Sequence, residues 1–195
     1  DNAYVIHHLY EDNQVEIPDI ISECEKAGNP NLVYEFASTS KVSFPGSGIA
    51  AMAASAENLA DVKKQMTIQT IGYDKLNQLR HVAYFKNIDG LKAHMKKHAD
   101  AMRPKFEAVL KVLDEELTGA EIGNWVKPLG GYFISFDAME GCAKKIVAKC
   151  KEAGVTLTNA GATFPYGKDP KDSNIRIAPS FPTPEEMAVA TDLFV

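Results

Sequence analysis

The sequence predicts an α/β fold in which short strands alternate with longer helices. Three observations support this prediction. Strand-like runs such as residues 32–36 are brief and rich in β-forming side chains, and residues 89–117 repeat apolar side chains at helical spacing. Turn-forming Gly, Pro and Asn residues separate the two kinds of segment. Such an alternation is typical of proteins in which helices pack on the faces of a sheet.

Local signals justify each element in turn. Strands are predicted where apolar or aromatic residues cluster between turn formers, at residues 1–6, 32–36, 49–54, 130–136 and 174–178. Helices are predicted where apolar residues recur every three or four positions, at residues 16–26, 56–66, 73–85, 89–117 and 142–153. Gly28 and Gly154 end two of these helices. A last helix starts after Thr183, because a Thr cap is followed by Pro184 and then by an acidic residue three positions after the cap.

The long helix at residues 89–117 divides the chain into two predicted domains. Residues 1–88 contain the remnant of a mostly parallel sheet, and residues 89–195 form a smaller α+β domain. The chain begins inside a predicted strand without an initiator Met, and its final helix reaches Val195 without a terminating Gly or Pro. We therefore expect a carboxy-terminal fragment of a larger protein.

Composition argues against several classes of function. The net charge of −5 offers no basic surface to nucleic acid or to an anionic membrane. No apolar run approaches the roughly 20 residues that cross a bilayer. The three cysteines are widely separated, which is typical of free thiols in the reducing cytoplasm. His94 and His98 lie four residues apart, but the lysines between them favour a solvated helix face over a metal site.

Lys41 is the leading candidate for chemistry. A lysine in a serine-rich loop is usually a solvated surface charge. Lys41, however, directly follows a predicted apolar strand, ends a Ser-x-Ser-Lys segment at 38–41, and precedes Pro45-Gly46-x-Gly48. Proteins with α/β sheets bind ligands at the carboxyl ends of strands. A partly desolvated lysine at such a place can supply a neutral amine that attacks an aldehyde.

The segments around Lys41 resemble those of the fold-type-I pyridoxal-phosphate-dependent aminotransferases. Residues 38–41, Ser-Thr-Ser-Lys, followed by Pro-Gly at 45–46, are similar to the segment that bears the Schiff-base lysine. Residues 1–4, Asp-Asn-Ala-Tyr, are similar to the Asp-x-x-Tyr segment that precedes this lysine in the family. Residues 174–177, Asn-Ile-Arg-Ile, resemble the strand that bears the substrate-carboxylate arginine. The resemblance covers essentially the whole chain. It is closest to the type Ic aspartate aminotransferases at residues 44–46, 77–81 and 164–170.

The resemblance implies that pyridoxal 5′-phosphate is the cofactor. Lys41 would hold it as a Schiff base and later move the substrate proton. Asp1 would face the protonated pyridine nitrogen, Tyr4 would donate a hydrogen bond to the phenolic oxygen, and Ser38 would contact the phosphate. Arg176 would bind the substrate α-carboxylate, a planar bidentate task that suits a guanidinium group. Asp1 and Tyr4 would fall on opposite faces of an ideal strand, so a bend between them is required.

The sequence departs from the family at one place. Many members carry an arginine seven or eight residues after the Schiff-base lysine, where it neutralises the cofactor phosphate. Here that place falls at Gly48 or Ile49. Backbone N–H groups in the loop that follows Pro45, helped by Ser43 or Ser47, could form an anion-binding nest. Alternatively, the positive charge comes from elsewhere, including a partner subunit.

The expected function is transfer of an amino group from an amino acid, aspartate above all, to 2-oxoglutarate. The resemblance implies a homodimer with active sites at its interface. A rival hypothesis from another class is the aminotransferase-like, ligand-sensing domain of a transcription regulator, which would need a basic winged-helix module upstream. A further alternative is an inert fragment, because the family's phosphate-binding helix start and the aromatic that stacks on the cofactor would both lie upstream of Asp1.

Overall fold

Six helices and five strands follow one another along the chain. The computed structural model describes every residue from 1 to 195. The helices are α1 (Ile20–Lys26), α2 (Ala56–Gln69), α3 (Lys75–Phe85), α4 (Ile88–Leu117), α5 (Ala143–Glu152) and α6 (Pro184–Phe194). The strands are β1 (Tyr34–Ser38), β2 (Ala50–Ala54), β3 (Gly123–Trp125), β4 (Ile134–Ala138) and β5 (Asn174–Ile177). None of the helices combines the length and the apolar character that crossing a bilayer requires.

The chain divides into two compact units. The first comprises residues 1–6 and 15–96, and the second comprises residues 7–14 and 97–195. The predicted boundary between residues 88 and 89 lies at the start of α4, and the division into compact units falls later in the same helix, between residues 96 and 97. A local pattern shows only that α4 is one continuous helix. Contacts with residues distant in sequence decide which part of it belongs to which unit.

The first unit contains a two-stranded sheet. Strands β1 and β2 pair antiparallel, with Phe36 opposite Met52. A mostly parallel sheet was expected in this part of the chain, and the pair of β1 and β2 does not supply parallel strands. Residues 3–6 form turns, and the prediction of residues 1–6 as a strand was wrong. Apolar side chains favour a strand there, but the backbone N–H of Val5 donates to the Asn2 carbonyl at 3.3 Å and closes a turn.

Helix starts follow the side chains that cap them. Helix α1 begins at Ile20, later than the predicted start at residue 16, because the Asp19 carboxylate accepts from the amides of Ile21 and Ser22. The predicted start of α6 is confirmed. The Thr183 hydroxyl accepts from the Glu186 amide at 3.2 Å, and the Glu186 carboxylate accepts from the Thr183 amide at 2.8 Å.

The second unit holds the main hydrophobic core. Its sheet has the order β3-β4-β5 with both pairs antiparallel. The side chains that fill the core come from α4, β4 and β5, and the most deeply buried are Phe106, Leu113, Ile134 and Ile175. Strand β3 was not predicted, because a run of three residues carries no periodicity. It exists through its pairing with β4, where Gly123 lies against the Phe136 ring so closely that a Cβ would be 2.5 Å from its Cζ.

Candidate active site

Lys41 lies in a tight turn that directly follows β1. The backbone N–H groups of Val42 and Ser43 both donate to the Thr39 carbonyl, at 2.9 and 2.8 Å. The Val42 side chain is buried, whereas that of Lys41 is exposed. The turn is therefore anchored through the residue next to Lys41 and presents the lysine at the carboxyl end of a strand. This is the placement that the sequence pattern predicts.

The loop that follows the lysine packs back on this turn through Gly48. A Cβ at Gly48 would lie 3.0 Å from the Ser40 nitrogen and 3.1 Å from its hydroxyl oxygen. The Ile49 amide donates to the Thr39 hydroxyl at 2.9 Å, and the Asn77 side chain donates to the Gly48 carbonyl at 3.0 Å. A side chain as large as arginine at position 48 would have to displace the backbone of Ser40. The close packing of the loop therefore disfavours a side chain at position 48, one of the two places at which the family's arginine could fall.

The predicted bend between Asp1 and Tyr4 is present. The Asp1 carboxylate accepts from the Ala3 amide at 3.1 Å, and residues 3–6 form turns. The backbone N–H of Asn2 donates to the Phe36 carbonyl at 2.7 Å, and this hydrogen bond fixes the segment beside β1. Asp1 and Tyr4 therefore lie on a bent segment held against the strand that ends at Ser38.

Two buried polar side chains of α3, Asn77 and His81, support the lysine turn. Residues 77–81 resemble a segment of the aspartate aminotransferases, but no contact of Asn77 or His81 with the lysine turn was predicted. Their spacing of four places both on one face of a helix, while Leu76 and Leu79 of the same helix are exposed. An inverted pattern of this kind, with polar side chains inward and apolar ones outward, is a signal that could have identified them.

Arg176 projects from the middle of β5, away from the core. Its neighbours Ile175 and Ile177 are buried on the opposite face of the strand, as expected from strand alternation. The guanidinium carbon lies 4.4 Å from the centroid of the Phe133 ring, a cation–π contact. The Nε atom of Arg176 is buried and has no hydrogen-bond partner. A buried donor without a partner is costly, and an anionic ligand would satisfy it.

A cavity of about 410 Å³ adjoins Arg176. Residues 154–158, β5 and α6 line it with mostly apolar side chains, and Phe181 and Pro182 form part of its wall. Arg176 is the cationic side chain of this lining, and Glu186 is the acidic one. Because the Glu186 carboxylate already accepts from the amide of Thr183, the cavity offers a guanidinium group to a small carboxylate-bearing molecule.

The turn before β5 is organised by Asp169. One carboxylate oxygen accepts from the amides of Asn174 and Ser173, both at 2.8 Å, and the other accepts from that of Lys171 at 2.9 Å. These hydrogen bonds lower the pKa of the Asp169 carboxyl because they favour its ionised form, and the bond from the Asn174 amide has the largest effect. Asn174 begins β5, so the Asp169 turn fixes the start of the strand that carries Arg176.

Substituting Asp169 by asparagine is expected to lower the free energy of unfolding at neutral pH and to leave it unchanged in acid. A depressed carboxyl pKa contributes stability that is complete above the unfolded-state value of about 3.9 and is lost as the pH falls through the folded-state value. Urea unfolding from pH 3 to 8, followed by the fluorescence of Trp125 in the same unit, measures this difference. The exposed Glu116, substituted by glutamine, is the control. An equal gap between wild type and Asp169→Asn at every pH would contradict the prediction.

The structure groups four of the five predicted site residues in the first unit. Asp1, Tyr4, Ser38 and Lys41 all lie on β1, on the turn that follows it, or on the segment hydrogen-bonded beside it. Arg176 belongs to the second unit, where it lines its own cavity.

Comparison with known proteins identifies the family. The family model for aspartate amino-transferase matches residues 1–195. An aspartate aminotransferase of Corynebacterium glutamicum is 44% identical over 192 residues, which are 98% of this chain and 44% of that protein.

Solved structures agree with this match. A crystal structure of an aspartate transaminase from Corynebacterium glutamicum superposes with a TM-score of 0.95 at 43% identity, covering 100% of this chain and 46% of that one. The α-aminoadipate aminotransferase of Thermus thermophilus, solved with N-(5′-phosphopyridoxyl)-L-leucine, shares the fold at 21% identity, with a TM-score of 0.77 over 98% of this chain and 47% of that one.

These matches confirm the predicted α/β fold of the pyridoxal-phosphate-dependent transferases. The chain spans less than half the length of the relatives it matches. Since the family model covers every residue from 1 to 195, this chain belongs to the aspartate aminotransferase family.

Proposed function

We propose that this chain is the portion of a pyridoxal-phosphate-dependent aminotransferase that holds the cofactor through Lys41. The observation that carries the proposal is the anchored turn after β1. It presents an exposed lysine at the carboxyl end of a strand, with the bent Asp1–Tyr4 segment hydrogen-bonded to the same strand. This arrangement supports a shared role for side chains that lie far apart in sequence.

The residues present fit the cofactor's chemical groups. Pyridoxal phosphate, when bound, stabilises the negative charge that forms as a substrate amino acid loses its α-proton. Asp1 offers an exposed carboxylate for the pyridine nitrogen. Tyr4 offers a phenol for the ring hydroxyl, and Ser38 offers a hydroxyl group for the phosphate.

Lys41 has two tasks in this proposal. Its Nζ atom would hold the cofactor through the cofactor's aldehyde, and the same amine would serve as the base that moves the substrate α-proton. Both tasks need a lysine whose Cα is fixed while its side chain can move. The buried Val42 and the hydrogen bonds to Thr39 supply the fixed backbone.

Arg176 orients the substrate by binding its α-carboxylate. The unpartnered Nε atom and the adjoining cavity support this role, because a carboxylate bound there satisfies the buried donor. The name of the Corynebacterium glutamicum relative favours aspartate as amino donor and thus 2-oxoglutarate as acceptor. The likeness to the family also favours a homodimer. The three cysteines are free thiols, which supports the cytoplasm as location.

We predict that the 195-residue chain by itself does not transaminate aspartate, whereas the full-length protein does. The family's remaining cofactor contacts are expected upstream of Asp1, and large apolar side chains of the first unit such as Leu76 and Ile71 are exposed here. The test measures turnover with added pyridoxal phosphate and 2-oxoglutarate, using aspartate, glutamate, alanine, tyrosine and 2-aminoadipate as donors. Turnover by the isolated chain would overturn the first part of this prediction. A full-length protein that prefers another donor would overturn the choice of aspartate.

A further inference from the structure

We infer that His81 and His94 are positioning residues that hold the Lys41 turn from two helices, with opposite tautomers of their rings. This inference rests on the proposed function only for its catalytic consequence. The hydrogen bonds themselves are properties of the first unit, to which both histidines and the turn belong. His94 was predicted to lie on a solvated face, and that prediction was wrong.

His81 bonds the turn through the hydroxyl groups of Thr39 and Ser43. Its Nδ1 atom lies 2.8 Å from the Asn77 carbonyl, which can only accept, so Nδ1 carries the proton. In the neutral ring Nε2 is then an acceptor, and it lies 2.7 Å from the Ser43 hydroxyl and 3.0 Å from that of Thr39. The Ile49 amide and the Ser43 hydroxyl both donate to the Thr39 hydroxyl oxygen, at 2.9 and 3.2 Å, so the proton of the Thr39 hydroxyl is directed to Nε2.

His94 bonds the backbone of the same turn, and its ring carries the proton on the other nitrogen than that of His81. Its Nε2 atom lies 2.8 Å from the carbonyl of Val42, so Nε2 carries the proton. The Nδ1 atom is then the acceptor, and the Tyr84 hydroxyl donates to it at 3.2 Å. The Phe85 ring contacts both imidazole rings, with centroid distances of 6.0 Å to His81 and 5.3 Å to His94.

The two histidines therefore bond the residues on either side of Lys41. His94 binds the carbonyl of Val42, the next residue in the chain, and His81 binds the side chains of Thr39 and Ser43, two residues away on each side. If either ring is lost, the turn can rotate, and its rotation displaces the amine of Lys41. Misplacement of a catalytic group by about 1 Å can cost on the order of 100-fold in rate. Substrate binding at Arg176 does not depend on these bonds.

The first test concerns the tautomers and needs no cofactor. Histidine labelled with ¹⁵N is incorporated into the 195-residue chain, and two-bond spectra of the neutral rings are recorded at pH 8.5. We expect the Nδ1–H form for His81 and the Nε2–H form for His94, assigned by the loss of each signal in a His81→Gln and a His94→Gln variant. Finding the same tautomer for both rings, or rapid exchange between tautomers in either, would overturn the inference.

The second test measures the catalytic consequence in the full-length protein. His81→Leu and His94→Leu should each lower kcat on the order of 10-fold to 100-fold, with KM for aspartate changed less than about 3-fold. The glutamine variants should recover most of the rate, because a glutamine amide can accept from the Thr39 hydroxyl at position 81 and donate to the Val42 carbonyl at position 94. Gln78→Leu, an exposed position on α3, is the control.

Outcomes of the second test separate the two proposals. Borohydride reduction followed by peptide mass spectrometry shows whether wild-type protein carries the cofactor on Lys41. If it does not, the proposed function fails, and the tautomers remain to be judged by the spectra alone. If it does, and the leucine variants keep wild-type kcat, the positioning inference fails while the proposed function stands. Equal losses in the leucine and glutamine variants, or a rise in KM without a fall in kcat, would also contradict positioning.

Discussion

Replacing Lys41 with alanine is expected to abolish covalent attachment of pyridoxal phosphate and to lower transaminase turnover of the full-length protein on the order of 10²-fold to 10⁴-fold. The variant loses the amine that bonds the cofactor aldehyde, and with it the base that moves the substrate proton. Because Lys41 is exposed and its turn is anchored through Val42, the fold should be retained. Reduction with borohydride, digestion and mass spectrometry locate the labelled lysine, and steady-state kinetics measure the loss.

The matched control is Lys63→Ala, an exposed lysine of α2. It should retain wild-type turnover and labelling. Lys41→Arg should resemble Lys41→Ala, because it keeps the positive charge but provides no amine for the covalent bond. Label on a lysine other than Lys41 in the wild type, or full turnover by Lys41→Ala, would contradict the assignment.

Replacing Arg176 with alanine is expected to weaken use of aspartate and of 2-oxoglutarate alike, since both carry the carboxylate that this residue binds. Removing one partner of a buried, hydrogen-bonded charge pair costs about 2–5 kcal/mol, a fall of roughly 30-fold to 3000-fold in kcat/KM. Arg176→Lys should retain part of the activity, because an ammonium group keeps the charge and loses the bidentate geometry. Kinetics with both substrates measure the effect.

The free energy of unfolding distinguishes substrate binding by Arg176 from a structural role of this residue. The Nε atom of Arg176 has no partner within the chain, and the contact with Phe133 is worth about 0.5–2 kcal/mol. The free energy of unfolding of Arg176→Ala should therefore fall by no more than this amount. A larger fall, or a loss of activity with one substrate and not the other, would argue that Arg176 supports the fold or recognises a different group.

Local signals predicted most of the helices and the placement of Lys41 after a strand. The capping box at Thr183, the Gly28 and Gly154 stops and the spacing along α4 act over a few residues. Such interactions are complete within the sequence segment that encodes them. For the same reason Arg176 was correctly expected to have its isoleucine neighbours on the opposite face, since alternation is a property of any strand.

Elements that exist only through distant partners were missed. Strand β3 is three residues long and owes its conformation to β4, against whose Phe136 ring Gly123 packs. The opening segment is the opposite case. Its apolar residues favour a strand and a strand was predicted, but the hydrogen bond from the Val5 N–H to the Asn2 carbonyl closes a turn there. Neither outcome depends on local composition, since strand pairing requires a neighbour that the local sequence does not specify.

The sequence alone thus determined the family-like segments, the order of the six helices and of strands β1, β2, β4 and β5, and the position of Lys41 directly after a strand. Only the tertiary structure decided how that lysine is held. His81, His94 and Asn77 are distant from it in sequence and were assigned no contact with its turn, but each bonds a backbone or hydroxyl group of residues 39–48. The physical reason is that a histidine's role depends on the acceptors and donors around each ring nitrogen, and folding supplies these from elements far along the chain.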